Sequence, residues 1–439
     1  MRRFVCLCLL ALVALAPPIR ADYLFTNGTL LTMTGEPPFE ADLRVVDQRI
    51  AAIGPGLEPQ DGDVVIDMQG GWLMPGLAEM HAHVPSPDQG EAYRDDVLFL
   101  WVASGVTTVR GMLGHPDHLE LRQALAAHRV LGPRLITSGP SFNGNSVTGE
   151  AQARQMVRDQ HAAGYDFLKI HPGLTRAHYD AVADEARRLG IRFAGHVPAD
   201  VGLRHALEQG QATIDHLDGF IEALLPDDAA GDGSALFAVD LAEAADIDRL
   251  PSLIDAMQAA GAAVVPTETL LENLAEDVQA LMDRPEMVYL PPELRERYRQ
   301  ALQGRFERTP KAGLALRKQI VRALQEAGIP ILLGSDSPQI FNVPGFSIHR
   351  ELQAMVAAGL TPLEALAAGT RAPARYFGRS NDFGELREGL SADLVLLADD
   401  PTADIANTRS IRGVMVRGKW LDRAALDEGL AAIRRRHGE

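Results

Sequence analysis

The sequence predicts an α/β fold: a (β/α)8 TIM barrel with a small composite β-domain built by both ends of the chain. Three observations lead to this prediction. Eight short apolar runs alternate with amphipathic stretches of helix length between residues 72 and 378. Strand-and-turn segments lie on both sides of that region. The length of 439 residues suits one large barrel with a small satellite domain.

Residues 1–21 are expected to be a cleaved secretory signal peptide. A basic start precedes an apolar run, Phe4–Ala16, which is too short to span a membrane, and Ala21 is a small residue at a suitable cleavage position. An uncleaved membrane anchor is the alternative. Both cysteines of the chain lie in this segment, so the mature protein could use neither a disulfide nor a catalytic thiol. We therefore expect a secreted or periplasmic protein without stable membrane insertion.

The composite β-domain is predicted to comprise residues 22–71 and 379–439, in a sandwich-like arrangement. Short apolar or alternating runs are separated there by turn residues such as Asn27-Gly28 and Gly54-Pro55-Gly56. No pattern of helical period appears before residue 72. The end of the chain, Leu421–Arg435, is predicted to form a surface helix.

The barrel is predicted over residues 72–378, with one strand in each apolar run. The runs are Trp72–Leu77, Val106–Val109, Arg134–Thr137, Phe167–Ile170, Arg192–Ala194, Ala212–Ile214, Ala263–Val265 and Ile331–Leu333. The longest interval, between Thr269 and Ala312, is rich in charge and proline and is expected to form a helical lid.

Charge excludes one class of partner. The formal net charge is −17, and removal of three arginines with the signal peptide takes it to −20. Such a surface repels phosphate backbones and anionic membranes, so we expect no nucleic-acid partner. The composition, 46% hydrophobic and 23% charged, is that of a soluble globular protein. A small-molecule substrate is expected, and a homo-oligomer is left open.

Ionisable residues end five of the eight runs, and active sites of such barrels lie at the C-terminal strand ends. These segments are Glu79–His83, Lys169–His171, Gly195-His196, Asp215-His216 and Gly334–Asp336. His81 and His83 are two residues apart, so on a strand both face one side and could bind the same ion. A pair of solvent-facing or hydrogen-bonding histidines is the alternative.

Several motifs together resemble the amidohydrolase superfamily. Met74–His83 resembles its entry motif, Gly105–Arg110 its second strand, Gly334–Asp336 its eighth, and Gly384–Asp404 its closing β-domain. The Ala194–Pro198 segment and Gly359–Leu366 are most similar to the imidazolonepropionase-like and prolidase-like branch. The chain departs from the family pattern at Glu79, where aspartate is usual, and at Gly111, which replaces the aspartate after Arg110.

The resemblance implies a centre for two divalent metal ions. It identifies the metal ligands as His81, His83, Lys169, His196, His216 and Asp336. Lys169 would carry a carboxyl group from CO2 and bridge the ions; a lysine that reaches solvent is the alternative reading. Zn²⁺ is the expected metal because imidazoles dominate the ligands.

Asp336 is expected to act as a catalytic residue as well as a ligand, since it could accept a proton from the attacking water. An aspartate that caps the following helix is the alternative. His171, His349 and Arg110 are candidates for substrate binding. His171 could equally be a loop histidine, and His349 could serve helix packing. Thr267 and Glu268 are candidates for the pocket wall.

The resemblance implies an enzyme, a metal-dependent hydrolase that cleaves an amide-like C–N bond by a bridging hydroxide. Its prolidase-like relatives suggest a dipeptide or an N-acyl amino acid as the substrate. A cyclic amide is an alternative, although imidazolonepropionases use one metal and lack the bridging lysine. A lactone or ester is another, because the same hydroxide attacks esters. A metal-free, non-catalytic barrel scaffold is the alternative from a different class.

Overall fold

The computed structural model describes residues 22–227, 235–304 and 308–438, so the predicted signal peptide lies outside the described residues. The strands are β1 (Asp22–Thr26), β2 (Thr29–Leu30), β3 (Phe39–Glu40), β4 (Asp42–Val46), β5 (Arg49–Gly54), β6 (Asp63–Asp67), β7 (Trp72–Pro75), β8 (Leu77–Ala82), β9 (Val106–Gly111), β10 (Arg134–Thr137), β11 (Leu168–Ile170), β12 (Phe193–Gly195), β13 (Thr213–Asp215), β14 (Ala263–Val265), β15 (Leu394–Leu397), β16 (Ile411–Val416) and β17 (Lys419–Asp422).

Helices alternate with the strands from β8 onward. They are α1 (Glu91–Ala103), α2 (His118–Ala126), α3 (Glu150–Ala163), α4 (Arg176–Leu189), α5 (Leu203–Glu208), α6 (Phe220–Leu224), α7 (Leu250–Ala260), α8 (Glu268–Ala275), α9 (Val278–Met282), α10 (Pro292–Gly304), α11 (Lys311–Glu326), α12 (Phe346–Ala357), α13 (Pro362–Gly369), α14 (Arg371–Tyr376) and α15 (Arg423–Arg436). Among the described residues, no helix is long and apolar enough to cross a membrane.

Strands from both ends of the chain form the β-domain. One sheet has the order β17-β16-β15-β7-β2-β3 and the other β5-β4-β1-β6. β7 is the junction, because it pairs in parallel with β2 and antiparallel with β15. Phe25, Leu43, Leu394 and Met415 share one buried apolar cluster. The composite β-domain of the predicted fold class is therefore confirmed.

The first predicted barrel strand, Trp72–Leu77, is in fact divided between two sheets. Trp72–Pro75 belongs to the β-domain, and the barrel begins with β8 at Leu77. Gly76 separates them, and a Cβ atom there would lie 2.2 Å from Oγ1 of Thr107. This close approach requires glycine, and it lets the chain pass from one sheet to the other within a single residue.

The barrel consists of parallel strands in two hydrogen-bonded groups, β8–β10 and β11–β14. Single hydrogen bonds connect the two groups between β10 and β11. Asp166 N donates to Thr137 O (3.0 Å), and Phe142 N donates to Lys169 O (2.8 Å). Seven regular strands and one irregular segment thus form the α/β barrel that the sequence predicted.

The eighth predicted run, Ile331–Leu333, is an irregular segment rather than a regular strand. It still bonds to both neighbours: Leu332 N donates to Val264 O (2.9 Å), and Met80 N donates to Leu333 O (2.8 Å). At Gly334 a Cβ atom would lie 2.7 Å from the His81 nitrogen. The segment therefore approaches the first strand closely and carries Asp336 to the end of β8.

The expected insertion between Thr269 and Ala312 is helical where it is described, with α8, α9 and α10. Tyr298 of α10 packs against Phe341, with ring centroids 5.6 Å apart, in the loop that follows the eighth segment. The predicted terminal helix begins at Arg423 rather than Leu421, because Lys419–Asp422 pairs with β16 and Asp422 caps the helix.

Candidate functional site

His81 and His83 leave β8 on the same side, as the two-residue period of a strand requires. Nε2 of His83 lies 2.8 Å from Oδ1 of Asp336, and Nε2 of His81 lies 3.5 Å from the same oxygen. The three residues offer ligand atoms within 4.8 Å of one another. Two imidazoles and a carboxylate that converge in this way suit a divalent ion.

The other ring nitrogen of His81 faces a buried carboxylate. Nδ1 lies 2.8 Å from Oδ2 of Asp215 on β13, and both side chains are fully enclosed. Burial holds the pKa of His81 well below its ordinary value, so the ring is neutral, as a metal ligand must be. A carboxylate behind a histidine fixes the orientation of its ring toward an ion.

Arg110 does not reach the substrate side of the barrel, which corrects the sequence-based expectation. It is completely buried and donates to both carboxylate oxygens of Asp215, at 3.1 and 3.2 Å. Burial alone would raise the pKa of Asp215, but Arg110 and Lys169 outweigh burial and lower it. The rings of Phe167 and Tyr376 lie near the guanidinium, 5.6 and 5.7 Å away. Arg110 therefore keeps Asp215 ionised behind His81.

His196 and His216 form a second pair of imidazoles, with ring centroids 4.7 Å apart. His216 also lies 4.4 Å from the ring of His81, so the two pairs adjoin. Nδ1 of His196 bonds to Asp218 (3.0 Å). Nδ1 of His216 bonds to Thr267 (2.8 Å). In both rings Nε2 remains for an ion.

Lys169 lies close enough to His81 and His216 for its charge to act on both rings. Its side chain is completely buried, and Nζ has no hydrogen-bond partner among the described residues. Burial lowers the pKa of Lys169 to about 8, although Asp215 and Asp336 oppose that effect. The lysine charge in turn contributes to the lowered pKa values of His81 and His216. Burying an amine without a hydrogen-bond partner costs free energy. The position of Lys169 is therefore easier to explain if its side chain takes part in binding ions.

Backbone strain is concentrated at the same place. His216, Leu217, Thr267 and Asp336 all have φ between +53° and +64°, a region that non-glycine residues rarely adopt. For Thr267 the conformation is especially costly, because its side chain is β-branched. Strain of this kind persists only where surrounding contacts impose it, and it is common at functional sites.

The remaining sequence-based candidates divide into two groups. His171 is part of the site: its ring stacks on His196 at 5.1 Å, and Thr267 also contacts the site through His216. His349 is not, because it is buried on α12 and bonds to Thr408 (2.9 Å), which corrects its expected substrate contact. Glu268 is likewise enclosed rather than on the pocket wall, in an ion pair with Arg317 (2.7 Å).

Glu79, where the chain departs from the family pattern, connects the first strand to the eighth segment. Its carboxylate accepts hydrogen bonds from His81 N (3.1 Å) and from the nitrogen and hydroxyl of Ser335 (2.8 and 2.5 Å). Burial raises the pKa of Glu79 to about 8. The longer side chain therefore serves to join the two segments that carry His81 and Asp336.

Sequence reasoning missed two residues of the site. Asp218 follows His216 by two residues, a spacing that could have indicated it. Phe237 stacks on His216 at 4.8 Å with an 11° angle between the rings, and lies 6.0 Å from His196. Its segment, which also has left-handed φ values at Phe237 and Ala238, follows no periodic pattern that could have pointed to it.

The chain is similar in sequence and fold to known amidohydrolases. The model of the amidohydrolase family matches residues 72–421. An imidazolonepropionase of Ralstonia nicotianae is 27% identical over 418 residues, covering 88% of this chain and 95% of that protein. The solved structure of bottromycin amidohydrolase is 26% identical, with a TM-score of 0.72 and coverage of 95% and 91%. A Xaa-Pro dipeptidase with bound methionine is 21% identical (TM-score 0.68, coverage 92% and 100%) and shows the same fold.

The family match extends over most of the chain and includes every strand of the barrel. Within it lie the candidate metal site and all of the buried histidine partners described above. Members of this family are metal-dependent enzymes that act on small molecules. The chain belongs to the amidohydrolase family and is a hydrolase that acts on carbon–nitrogen bonds.

Proposed function

We propose that this hydrolase cleaves the amide-like bond of a dipeptide or an N-acyl amino acid at a centre that holds two divalent ions. His81 and His83 would hold one ion, together with Asp336. His196 and His216 would hold the other. Four imidazoles favour Zn²⁺ over the harder divalent ions.

The observation that carries this proposal is the position of Lys169. A buried amine without a partner lies beside both histidine pairs. Its neutral form can add CO2, releasing one proton and forming a carbamate. The carbamate has two oxygens and would serve both ions. This modification explains how a cationic side chain comes to lie at a metal centre.

When bound, the ions supply Lewis acidity at the scissile carbonyl and lower the pKa of water. Asp336 accepts the proton that the attacking water loses and returns it to the leaving nitrogen. Asp215, Asp218 and Thr267 hold the imidazoles in fixed orientations through their second ring nitrogens. The ring of His171 stacks on His196 and is available to the substrate.

The test combines metal analysis with a substrate screen. Elemental analysis of the purified protein should give close to two ions per chain. A library of dipeptides, including Xaa-Pro, and of N-acyl amino acids should contain a substrate whose turnover stops on chelation and returns with Zn²⁺ or Mn²⁺. Full turnover in a metal-free preparation would refute the proposal.

A cyclic amide is the second candidate substrate, favoured by the imidazolonepropionase relative. The two candidates differ in metal content and product. Ring opening of an imidazolone by protein that holds one ion per chain would favour the cyclic amide. Hydrolysis of a linear amide by protein that holds two would favour the dipeptide.

We also propose that the enzyme acts outside the cytoplasm, after cleavage between Ala21 and Asp22. A basic start and a short apolar run support this. N-terminal sequencing of protein recovered from the periplasm or medium should begin at Asp22. Recovery of an intact leader on membrane-associated protein would instead favour the anchor.

A further inference from the structure

A groove of about 970 Å³ lies between the composite β-domain and the barrel. The turn between β4 and β5 and the turn between β16 and β17 form one side. The start of β10 and the segment before β11 form the other. These are the N-terminal ends of the barrel strands, whereas the metal ligands follow the C-terminal ends. The groove is therefore separate from the catalytic centre.

Arginines dominate the lining of the groove. They are Arg49, Arg122, Arg134, Arg379 and Arg417, against three aspartates, Asp47, Asp166 and Asp382. The lining thus has two more arginines than aspartates, and the buried Asp393 that pairs with Arg134 reduces this excess to one positive charge. Arginine guanidinium groups present fixed pairs of donors that match the oxygens of phosphates and carboxylates.

Two of the aspartates are already paired. Asp166 bonds to Arg122 (2.7 Å), and Asp382 bonds to Arg379 (2.6 Å). Arg134 pairs with Asp393 (3.0 Å), which does not line the groove. In contrast, the bonds from the side chains of Arg49 and Arg417 go to main-chain carbonyl oxygens. The side chains of Arg49 and Arg417 form no salt bridge within the described residues.

Arg417 is the distinctive group, because it is only 8% exposed. Nη2 donates to the carbonyl oxygens of Leu125 and Gly132, at 2.7 and 3.3 Å. Nε and Nη1 have no hydrogen-bond partner within the described ranges. Burial lowers the pKa of Arg417, and neighbouring Arg134 lowers it further, against the effect of Asp393. A buried cation with free donors is costly unless an anion satisfies it.

We propose that this groove binds a compact oxyanion, held by Arg417, Arg49 and Arg379. A phosphate group and a dicarboxylate share this chemistry. Either would place oxygens beside the guanidinium groups that line the groove and neutralise the excess charge. The ligand would join the β-domain to the barrel at a point remote from the catalytic centre.

Thermal unfolding and calorimetric titration of the mature protein test the proposal, with inorganic phosphate and succinate as separate probes and sodium chloride at equal ionic strength. The preferred probe should raise Tm by about 3 °C at a hundred times its Kd, and chloride should not. The probe that binds more tightly, phosphate or succinate, identifies the ligand as a phosphate group or a dicarboxylate. Equal shifts with chloride would overturn the proposal.

Variants locate the binding. Arg49→Gln combined with Arg379→Gln should weaken the preferred anion at least tenfold, and Arg417→Met should abolish its binding. If Arg417→Met fails to fold, the double variant decides. The control is Arg154→Gln with Arg187→Gln, a half-buried and an exposed arginine that both contact Asp184. Equal loss in control and groove variants, or unchanged affinity in the double variant, would refute the site.

Discussion

Three imidazoles of the candidate centre, those of His81, His196 and His216, each have a different side chain beside Nδ1. Asp215 lies 2.8 Å from Nδ1 of His81, and hydrogen bonds join Asp218 to His196 and Thr267 to His216. The bonds fix the tautomers and aim the opposite nitrogens at the centre. Substituting a residue that contacts a ligand should therefore change metal binding measurably, as substituting the ligand itself would.

Asp336→Asn tests the proton transfer. Asparagine keeps the shape and one ligating oxygen but cannot accept a proton, so kcat should fall by roughly 10²–10⁴-fold. Folding should be unchanged, and metal content should fall less than in His81→Ala. Steady-state kinetics with parallel metal analysis measures both. Retention of more than about half of kcat with both ions bound, where a general base should matter a hundredfold, would assign the proton to another group.

Lys169→Ala tests the bridge between the histidine pairs. Activity should fall by more than about a hundredfold, because even a residue that only orients a ligand accounts for 10–100-fold. A short carboxylic acid should partly restore activity by taking the place of the carbamate. A crystal structure of the active enzyme should show added density on Lys169 Nζ. An unmodified lysine that points away from both ions in such a crystal would contradict the prediction.

Thr267→Val tests the partner of His216, with Thr408→Val as its control. Both threonines are buried, and each bonds to a histidine Nδ1, at 2.8 and 2.9 Å, but only His216 lies at the centre. Thr267→Val should weaken metal affinity by about 10–100-fold. Thr408→Val should leave it unchanged. Competition with a chelating dye measures the affinity, and equal behaviour of the two variants would show that Thr267 is only structural.

Strand ends position these residues, and two glycines with positive φ allow a matched test of one strand. At Gly195, the last residue of β12, a Cβ atom would lie 2.5 Å from Ile170 O and 3.0 Å from Lys169 Nζ. At Gly190, the C-cap of α4, nothing lies within 4 Å. Gly190→Ala should therefore cost only about 1–2 kcal/mol of unfolding free energy. Gly195→Ala should cost about 2–4 kcal/mol and also lower metal content, because it displaces Lys169.

Denaturant unfolding and elemental analysis distinguish the two glycine variants. Similar stability and full metal content in both would mean that β12 yields to the added methyl group. That result would show that close packing at Gly195 does not position Lys169.

Local sequence patterns indicated most elements and the pair His81 and His83, since strand period and strand-end position are local properties. The family resemblance was needed to indicate His196 and His216 as ligands. They could not indicate what depends on distant partners. Arg110 is a second-strand residue whose role is set by Asp215, about a hundred positions later. The break at Gly76 depends on a collision with Thr107. His349 is turned away from the centre by its bond to Thr408.

For the whole molecule, metal removal should lower stability as well as activity. Ions that bind only the folded chain stabilise it by mass action, about 2.7 kcal/mol at a hundred times Kd. For a protein of this size that corresponds to about 3 °C in Tm. Differential scanning calorimetry before and after dialysis against a chelator measures the change, and Zn²⁺ should restore it. If Tm did not change although all metal was lost, the protein alone would keep the ligand residues in place, and the ions would not contribute to stability.

The junction at β7 has a consequence for the order in which the protein can be built during synthesis. β7 gains its antiparallel partner, β15, from a segment about 320 residues later in the chain. The ribosome must therefore complete nearly the whole polypeptide before the strand that leads into His81 and His83 is anchored on both sides. Until then β7 can pair only with β2, and the β-domain of the nascent chain lacks the strands β15, β16 and β17.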